Sequence, residues 1–220
     1  MHESYDLHTF DINERDVYLS NTTLSYYDQN AIGFANSTIQ ADLSAQYAIF
    51  MKYLKPGSYI LDLGCGSGRD SKYFFIDHKY SVEAIDGSPE LCKIASNFLD
   101  QPVRRLLFED IDYIEQFEAV WACSSLLHVC KDILPDILIK VYKALKPDGV
   151  IYMSFKYGSF SGERSGRWFT DLTEHDLVEI IEHTGCFKIL EMYVSDDTRP
   201  GRSHEKWLNV ILEKLHRVDQ

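Results

Sequence analysis

The chain has 220 residues, of which 45% are hydrophobic and 25% charged, and its formal net charge is −12. This size and composition are those of one ordinary globular domain and exclude a disordered or fibrous chain. Because nucleic acids are bound by clustered Lys and Arg, the acidic balance also argues against a nucleic-acid partner.

The cysteines and the distribution of apolar residues indicate the cellular compartment in which we expect the protein. The five cysteines are scattered, with no CxxC pair and no His at metal-ligand spacing. We therefore expect reduced thiols, no metal and a cytoplasmic protein. Residues 1–21 lack the apolar run of a signal peptide, and no stretch approaches the roughly 20 apolar residues of a membrane span, so we expect no membrane partner.

Strands and helices alternate along the chain, and this predicts a mostly parallel sheet with helices on both faces. In chain order we predict a helical cap within residues 1–54, a strand at 59–63, a helix to 75, a strand at 81–85, a helix at 88–100, strands at 103–108 and 119–123, a helix at 134–145, a strand at 150–155, a helix at 173–184, and strands at 187–194 and 207–212. The sequence thus predicts one α/β domain over residues 1–220, a Rossmann-like three-layer αβα sandwich.

Residues 156–171 interrupt this alternation. They are rich in Gly, Ser, Arg and aromatic residues and show no clear period. We interpret them as a long loop, which would lie on the substrate side because ligands of parallel sheets bind beyond the carboxyl ends of the strands.

Alternating glycines follow the first predicted strand. Gly64, Gly66 and Gly68 permit a sharp turn and leave no side chain between the backbone and a ligand. Asp86, at the tip of the second strand, is placed to accept hydrogen bonds from two ribose hydroxyls. The same pattern suits a nicotinamide cofactor, and a tight turn without any ligand is a further interpretation.

Two residues weigh against a dinucleotide. The third glycine of the dinucleotide fingerprint is replaced by Arg69, so close helix packing beneath a pyrophosphate is not provided. Asp62 lies inside the first strand, where a carboxylate is costly unless it faces a cationic or hydrogen-bonding ligand group. Arg69 thus disfavours a dinucleotide, and Asp62 suits a cofactor with a cationic group such as an ammonium.

The segment from Ile60 to Asp70 closely resembles motif I of the class I methyltransferases that depend on S-adenosylmethionine (SAM). Residues 84–88 resemble the family's segment with the ribose-binding acid, residues 121–129 its fourth-strand motif, and residues 144–150 its turn into strand five. The resemblance covers roughly residues 22–212. Within the family, the Gly68-Arg69-Asp70 ending and the Tyr26-Tyr27-Asp28 opening resemble small-molecule enzymes such as the tellurite-resistance group.

The resemblance implies methyl transfer from SAM to a small molecule on a seven-stranded sheet whose last strand, 207–212, is antiparallel. It implies that Phe108 packs on adenine with Glu109 or Asp110 near the amino group, although the family's usual acid at this strand end aligns with Leu107. The cofactor-binding residues expected from the loop and the resemblance are Asp62, Gly64, Cys65, Gly66, Gly68, Arg69, Asp86, Gly87, Ser88, Phe108, Glu109, Asp110, Cys123 and Ser124.

Methyl transfer needs an acceptor held in line, and a base only where the acceptor loses a proton. By analogy His128 is the candidate base, and a structural His at a helix start is the alternative. We also predict that a set of aromatic and Arg residues forms a lid over the acceptor. The alternative is that the aromatic residues pack in the core. Arg199 and Arg202 are candidates to orient an anionic acceptor, or else are solvated surface charges. The predicted lid residues are Tyr26, Tyr27, Tyr157, Arg164, Arg167 and Trp168.

Some activities are excluded and others stay open. The segment Ala122-Cys123-Ser124-Ser125 differs from the Asn/Asp-Pro-Pro-Tyr/Phe motif of enzymes that methylate adenine or glutamine nitrogen, and no Pro-Cys nucleophile of a cytosine enzyme is present. An NAD(P)-dependent oxidoreductase and a non-catalytic SAM-binding subunit or sensor remain as alternatives.

Overall fold

The computed structural model describes the backbone of residues 14–74 and 78–216, and side chains from residue 21 onward within those ranges. Its helices are α1 (Glu14–Thr38), α2 (Ser44–Met51), α3 (Arg69–Lys72), α4 (Pro89–Leu99), α5 (Leu134–Ala144) and α6 (Glu174–Thr184). Its strands are β1 (Tyr59–Leu63), β2 (Ser81–Asp86), β3 (Arg104–Arg105), β4 (Phe117–Ala122), β5 (Leu145–Lys156), β6 (Ser161–Arg164), β7 (Arg167–Thr170), β8 (Phe187–Asp196) and β9 (Lys206–Lys214).

Seven strands form one sheet in the order β3-β2-β1-β4-β5-β9-β8. Strands β1 to β5 pair in parallel, whereas β9 runs antiparallel to both of its neighbours, β5 and β8. The predicted mostly parallel sheet with an antiparallel last strand is confirmed.

The sheet separates two apolar clusters, because the central strands bury side chains on both faces. On one face, Leu61 and Leu63 pack with residues of α5 and α6 such as Leu138. On the other, Trp121 and Tyr152 stack with ring centroids 4.0 Å apart beneath α2. The predicted three-layer sandwich follows from this two-sided burial.

Strand β3 is shorter than the predicted strand at 103–108. It comprises Arg104–Arg105, both exposed at the edge of the sheet, and the chain then turns into a 3₁₀ helix at Phe108–Asp110. The turn directs Leu106 and Leu107 toward the cavity described below. As the edge strand, β3 forms backbone hydrogen bonds with β2 alone, so ending it early leaves no other strand without a partner.

The predicted loop at 156–171 is wrong in its main part. Strands β6 and β7 pair there as an antiparallel hairpin, closed by Ser165 and Gly166 with φ of 51° and 76°. Positive φ at both turn residues matches the twist of a two-residue hairpin. The hairpin packs on α1, where the Trp168 backbone N–H donates to Thr23 Oγ1 at 3.0 Å.

Among the described helices, none has both the length and the apolar character needed to cross a bilayer. Within the same residues, no group of three or more His, Cys, Asp and Glu side chains is arranged to hold a metal ion.

Candidate active site

A cavity of about 440 Å³ opens at the carboxyl ends of the central strands, with α1 along one side. This is the position at which open α/β sheets bind ligands. The predicted site residues that line it are Tyr26, Tyr27, Gly64, Cys65, Gly66, Arg69, Asp86, Gly87, Phe108, Glu109, Cys123, Ser124, His128, Arg167, Arg199 and Arg202.

The glycine loop presents bare backbone to this cavity. Gly64 has φ of 78°, and a Cβ added there would lie 2.6 Å from Ser125 Cβ, so both conformation and space require glycine. The Gly64 and Cys65 N–H groups donate to the Ile85 carbonyl, each at 2.9 Å. These bonds fasten the loop to the end of β2 and leave its outer side open to a ligand.

Asp86 ends β2 at the base of the loop. Its two carboxylate oxygens accept 2.9 Å hydrogen bonds from the Gly66 and Ser88 backbone N–H groups. Burial raises the pKa of Asp86 to about 6, while these backbone hydrogen bonds oppose the rise. An ionised carboxylate has about four acceptor positions, so roughly two stay available for the hydroxyls of a ligand.

The titration of Asp86 predicts a pH dependence of cofactor binding. Protonation removes acceptor capacity, so affinity should fall as pH drops through about 6. We expect calorimetric affinity for S-adenosylhomocysteine to be about tenfold lower at pH 5 than at pH 7.5. An affinity that does not change between these pH values would count against Asp86 as the ribose acceptor.

An apolar wall lies beside Asp86, formed by Leu106, Leu107 and Phe108. It suits the flat face of a purine. Of the two acids predicted near adenine, Glu109 lines the cavity and Asp110 does not. Glu109 is therefore the better placed of the two for the adenine amino group, and the role of Asp110 stays a prediction.

Asp62 is not among the residues that line the cavity, so its predicted contact with a cofactor stays a prediction. It is 2% exposed and accepts a 2.6 Å hydrogen bond from Ser71 Oγ. Side chains alternate along a strand, so Asp62 shares the face of Ile60, which packs under α2. Burial, together with the nearby Asp70, raises the pKa of Asp62 to about 8.

Asp70 joins three elements around the cavity. Its carboxylate accepts hydrogen bonds from Tyr47 Oη at 2.5 Å, Trp121 Nε1 at 2.8 Å and Arg69 Nε at 2.5 Å. Burial alone would raise the pKa of Asp70, but Arg69 and the other donors lower it below its ordinary value. Arg69 also donates to the Thr38 carbonyl at 3.0 Å, so the pair ties the end of α1 to the glycine loop.

His128 is held between two partners. Its Nδ1 lies 2.6 Å from the Trp168 carbonyl oxygen and its Nε2 2.8 Å from Tyr27 Oη. A carbonyl only accepts, so Nδ1 carries the proton and Nε2 accepts from the Tyr27 hydroxyl. Burial, aided by the charge of Arg167, lowers the pKa of His128 to about 4, so the ring is neutral at physiological pH.

Three predicted lid residues lie outside the cavity lining, and their role in a lid stays a prediction. Tyr157 is 41% exposed and donates to Glu174 at 2.9 Å. Arg164 pairs with Asp171 at 2.6 Å. Trp168 turns its indole N–H to Thr170 at 3.0 Å and contacts the site region through its backbone, by its carbonyl to His128 and its N–H to Thr23.

Gly68 and Ser88 are also placed behind the cavity wall. A Cβ on Gly68 would lie 3.2 Å from side-chain atoms of Ala95 and Leu99, so this glycine permits close packing of α4. Ser88 caps α4 by accepting from the Leu91 N–H at 3.1 Å, and its hydroxyl donates to Asp28. Both residues support the loop and the helix that follows it, and their contact with a cofactor stays a prediction.

Arg199 and Arg202 reach the cavity, but each faces an acid. Arg199 binds Asp197 through two hydrogen bonds, of 2.9 and 2.5 Å. Arg202 lies 3.5 Å from Glu205. Lys156 binds the same two acids, so Asp197 and Glu205 are shared among three cations.

Sequence reasoning missed much of the lining. The residues on α1 recur every three or four positions, and that spacing, continued from Tyr27, is a signal that could have found them. The residues beyond α1 come together through tertiary packing and carry no such local signal. The lining residues that were missed include Thr23, Asn30, Phe34, Thr38, Gln46, Leu106, Ser125, Lys156, Asp197, Trp207 and Asn209.

Fold and cavity together define a Rossmann-like domain built to hold a nucleoside cofactor against bare backbone. Residues 60–149 match the family model described as a methyltransferase domain. The chain is also similar over 97% of its length to the Burkholderia thailandensis 1,6-didemethyltoxoflavin-N1-methyltransferase, whose crystal structure contains S-adenosylhomocysteine. That match covers 99% of the solved chain with a TM-score of 0.74 at 18% identity, which establishes the fold.

Curated relatives point the same way. An arsenite methyltransferase of Aquipseudomonas alcaligenes is 28% identical over 55% of this chain, and a malonyl-[acyl-carrier protein] O-methyltransferase of Serratia marcescens is 33% identical over 45% of it. The chain spans 40% and 38% of the lengths of these two relatives. The chain is thus similar to class I SAM-dependent methyltransferases, with the family match confined to residues 60–149. The resemblance to the tellurite-resistance group stays a prediction.

The cofactor of this class is SAM, and the residues present fit it. Gly64 and Gly66 leave the space that a side chain would fill, and Asp86 offers buried acceptors for a ribose. Leu107 and Phe108 form an apolar wall for adenine.

Proposed function

We propose that this chain, as a single domain, transfers the methyl group of SAM to a small-molecule acceptor. The observation that carries the proposal is one continuous cavity, which runs from the glycine loop and Asp86 to Tyr27 and Arg167. SAM supplies a methyl group already activated on a sulfonium. What remains for the protein is to bind, orient and exclude water.

The cofactor half of the cavity has separate roles for its residues in this proposal. The backbone at Gly64, Cys65, Gly66 and Gly87 allows close approach of the nucleoside, and Asp86 accepts from the ribose hydroxyls. Phe108 packs on adenine, and Glu109 lies near its amino group. Arg69, Cys123 and Ser124 line the part of the cavity next to the glycine loop and suit the methionine portion.

On the acceptor side, α1 and the β6–β7 hairpin close the cavity against each other. A Cβ on Gly166 would lie 3.2 Å from Tyr26, and Trp168 bonds to Thr23 across the same contact. Packing this close excludes water from the space beside Tyr27. A dry site protects the methyl donor from hydrolysis and strengthens polar contacts with the acceptor.

Tyr27 and His128 act as a pair in this proposal. Where the acceptor must lose a proton, the Tyr27 oxygen takes it and passes its own proton to His128 Nε2, with which it is already hydrogen-bonded at 2.8 Å. The Nδ1–H bond to the Trp168 carbonyl keeps the His128 ring in the tautomer that this transfer needs.

Replacing Tyr27 with Phe should therefore lower kcat about a hundredfold with a proton-bearing acceptor, while affinity for S-adenosylhomocysteine changes less than twofold. Turnover and calorimetry measure the two quantities. Tyr26→Phe is the matched control, since Tyr26 neighbours Tyr27 on α1 with ring centroids 5.6 Å apart. Equal turnover by Tyr27→Phe and wild type would remove the pair from the mechanism.

The activity itself is tested with methyl-tritiated SAM and a pool of small metabolites. We expect S-adenosylhomocysteine and a labelled product from the wild type, and neither from Asp86→Asn. A protein that binds SAM yet yields no product from the pool would favour a SAM-binding subunit or sensor. Binding of NADH with reduction of a substrate would favour the oxidoreductase.

A further inference from the structure

Five cationic side chains line the cavity, namely Arg69, Lys156, Arg167, Arg199 and Arg202. Four of them face acids. The shortest ion-pair distances are 2.5 Å for Arg69 to Asp70 and for Arg199 to Asp197, and 3.5 Å for Arg202 to Glu205; Lys156 binds Asp197 and Glu205. Across residues 21–74 and 78–216, Arg167 has no carboxylate within 4 Å.

Aromatic rings fix the orientation of the Arg167 guanidinium. Its central carbon lies 4.4 Å from the ring centroid of Tyr26, 5.1 Å from that of Phe169 and 5.6 Å from that of Tyr27. Rings occupy guanidinium faces and leave the N–H edge for hydrogen bonds in its plane. Among the donors in that plane, Nε is buried without a hydrogen-bond partner and Nη1 has a long contact of 3.4 Å to Tyr27 Oη.

The groups nearest to Arg167 do not balance its charge. His128 is neutral because burial lowers its pKa to about 4, and burial raises the pKa of the Tyr27 hydroxyl above its ordinary value. Asp86 belongs to the cofactor half of the same cavity and is bonded to the loop backbone. A half-buried cation with free donors is costly until an anion meets it.

We propose that the methyl acceptor is a planar aromatic acid whose carboxylate binds the free edge of Arg167. This inference rests on the proposed function and names the substrate class of that site. A carboxylate matches the two-donor edge of a guanidinium, and the aromatic side chains of Tyr27, Phe34 and Phe169 line the adjoining cavity wall and suit a flat ring. Arg199 and Arg202 each already contact a carboxylate, that of Asp197 or Glu205, whereas Arg167 contacts none among the described residues.

The test uses benzoate and benzamide, which share size and shape but differ in charge. Each is titrated by calorimetry into the full-length protein saturated with S-adenosylhomocysteine. We expect benzoate to bind about ten- to a hundredfold more tightly than benzamide, which is the range for a charge-assisted hydrogen bond. Arg167→Gln should abolish this preference, and Arg202→Gln, a cavity cation already paired with Glu205, should keep it.

The outcomes separate this inference from the proposed function. Equal binding of the two probes by the wild type, no binding of benzoate, or an unchanged preference in Arg167→Gln would each overturn the inference. S-adenosylhomocysteine affinity and melting temperature show whether Arg167→Gln is folded. If this variant is unfolded, the comparison of benzoate with benzamide binding to the wild type tests the inference. If the wild type does not bind S-adenosylhomocysteine, the proposed function fails, and the same two titrations without it still decide the role of Arg167.

Discussion

Replacing Asp86 with Asn is expected to lower the affinity for S-adenosylhomocysteine about a hundredfold. Both carboxylate oxygens accept backbone N–H groups, so an amide places its NH₂ against the N–H of Gly66 or Ser88. The ribose hydroxyls also lose a charged acceptor, and charge-assisted hydrogen bonds contribute about 1.5–3 kcal/mol each. Calorimetry on the purified variant measures the change.

Glu90→Gln is the control for this substitution. Glu90 lies on α4 near Asp86 in the chain, but it is half-exposed and paired with Lys93 on the surface. Its loss should leave the affinity within twofold of wild type. If Asp86→Asn binds S-adenosylhomocysteine as tightly as Glu90→Gln does, Asp86 at the end of β2 does not contact this ligand.

Replacing Asp70 with Ala should destabilise the fold more than any other single change proposed for this chain. Arg69 would remain as an unpaired cation, and the buried donors of Tyr47 and Trp121 would lose their acceptor. Breaking a buried pair in this way costs about 3–5 kcal/mol. At about 2–4 °C per kcal/mol for a chain of this size, the melting temperature should fall by roughly 6–20 °C.

Asp196→Ala serves as the comparison, because Asp196 pairs with Lys206 while its side chain is 64% exposed. Exposed pairs of this kind contribute about 0–1 kcal/mol, so a change of a few degrees at most is expected. If thermal denaturation gives the two variants the same melting temperature, Asp70 does not hold α1, α2 and α3 together as described.

Local signals were enough to predict the sheet elements. Strand β1 was predicted with its observed bounds of Tyr59–Leu63 because an apolar run of strand length lies between Gly57 and Gly64. Helix α6 was predicted from its cap, and Thr173 and Asp176 form a capping box there. In both cases the determinant lies within a few residues in the sequence.

The errors arose where long-range contacts decide the outcome. Strand β1 is buried on both faces, so alternation could not reveal that Asp62 faces α3 instead of the cavity. The β6–β7 hairpin packs against α1, a long-range contact that the sequence of residues 156–171 does not disclose. The pairing of Arg199 with Asp197 depends on how that loop folds, so the sequence did not show that this arginine already has a carboxylate partner.

The central claim is that the glycine loop and Asp86 hold SAM, and equilibrium binding to the wild-type protein at pH 7.5 tests it most directly. Titration with SAM and, separately, with NADH should give one saturable site for SAM and no heat of binding for NADH. Saturable binding of NADH, or no binding of SAM to a protein whose melting transition shows it to be folded, would contradict the account.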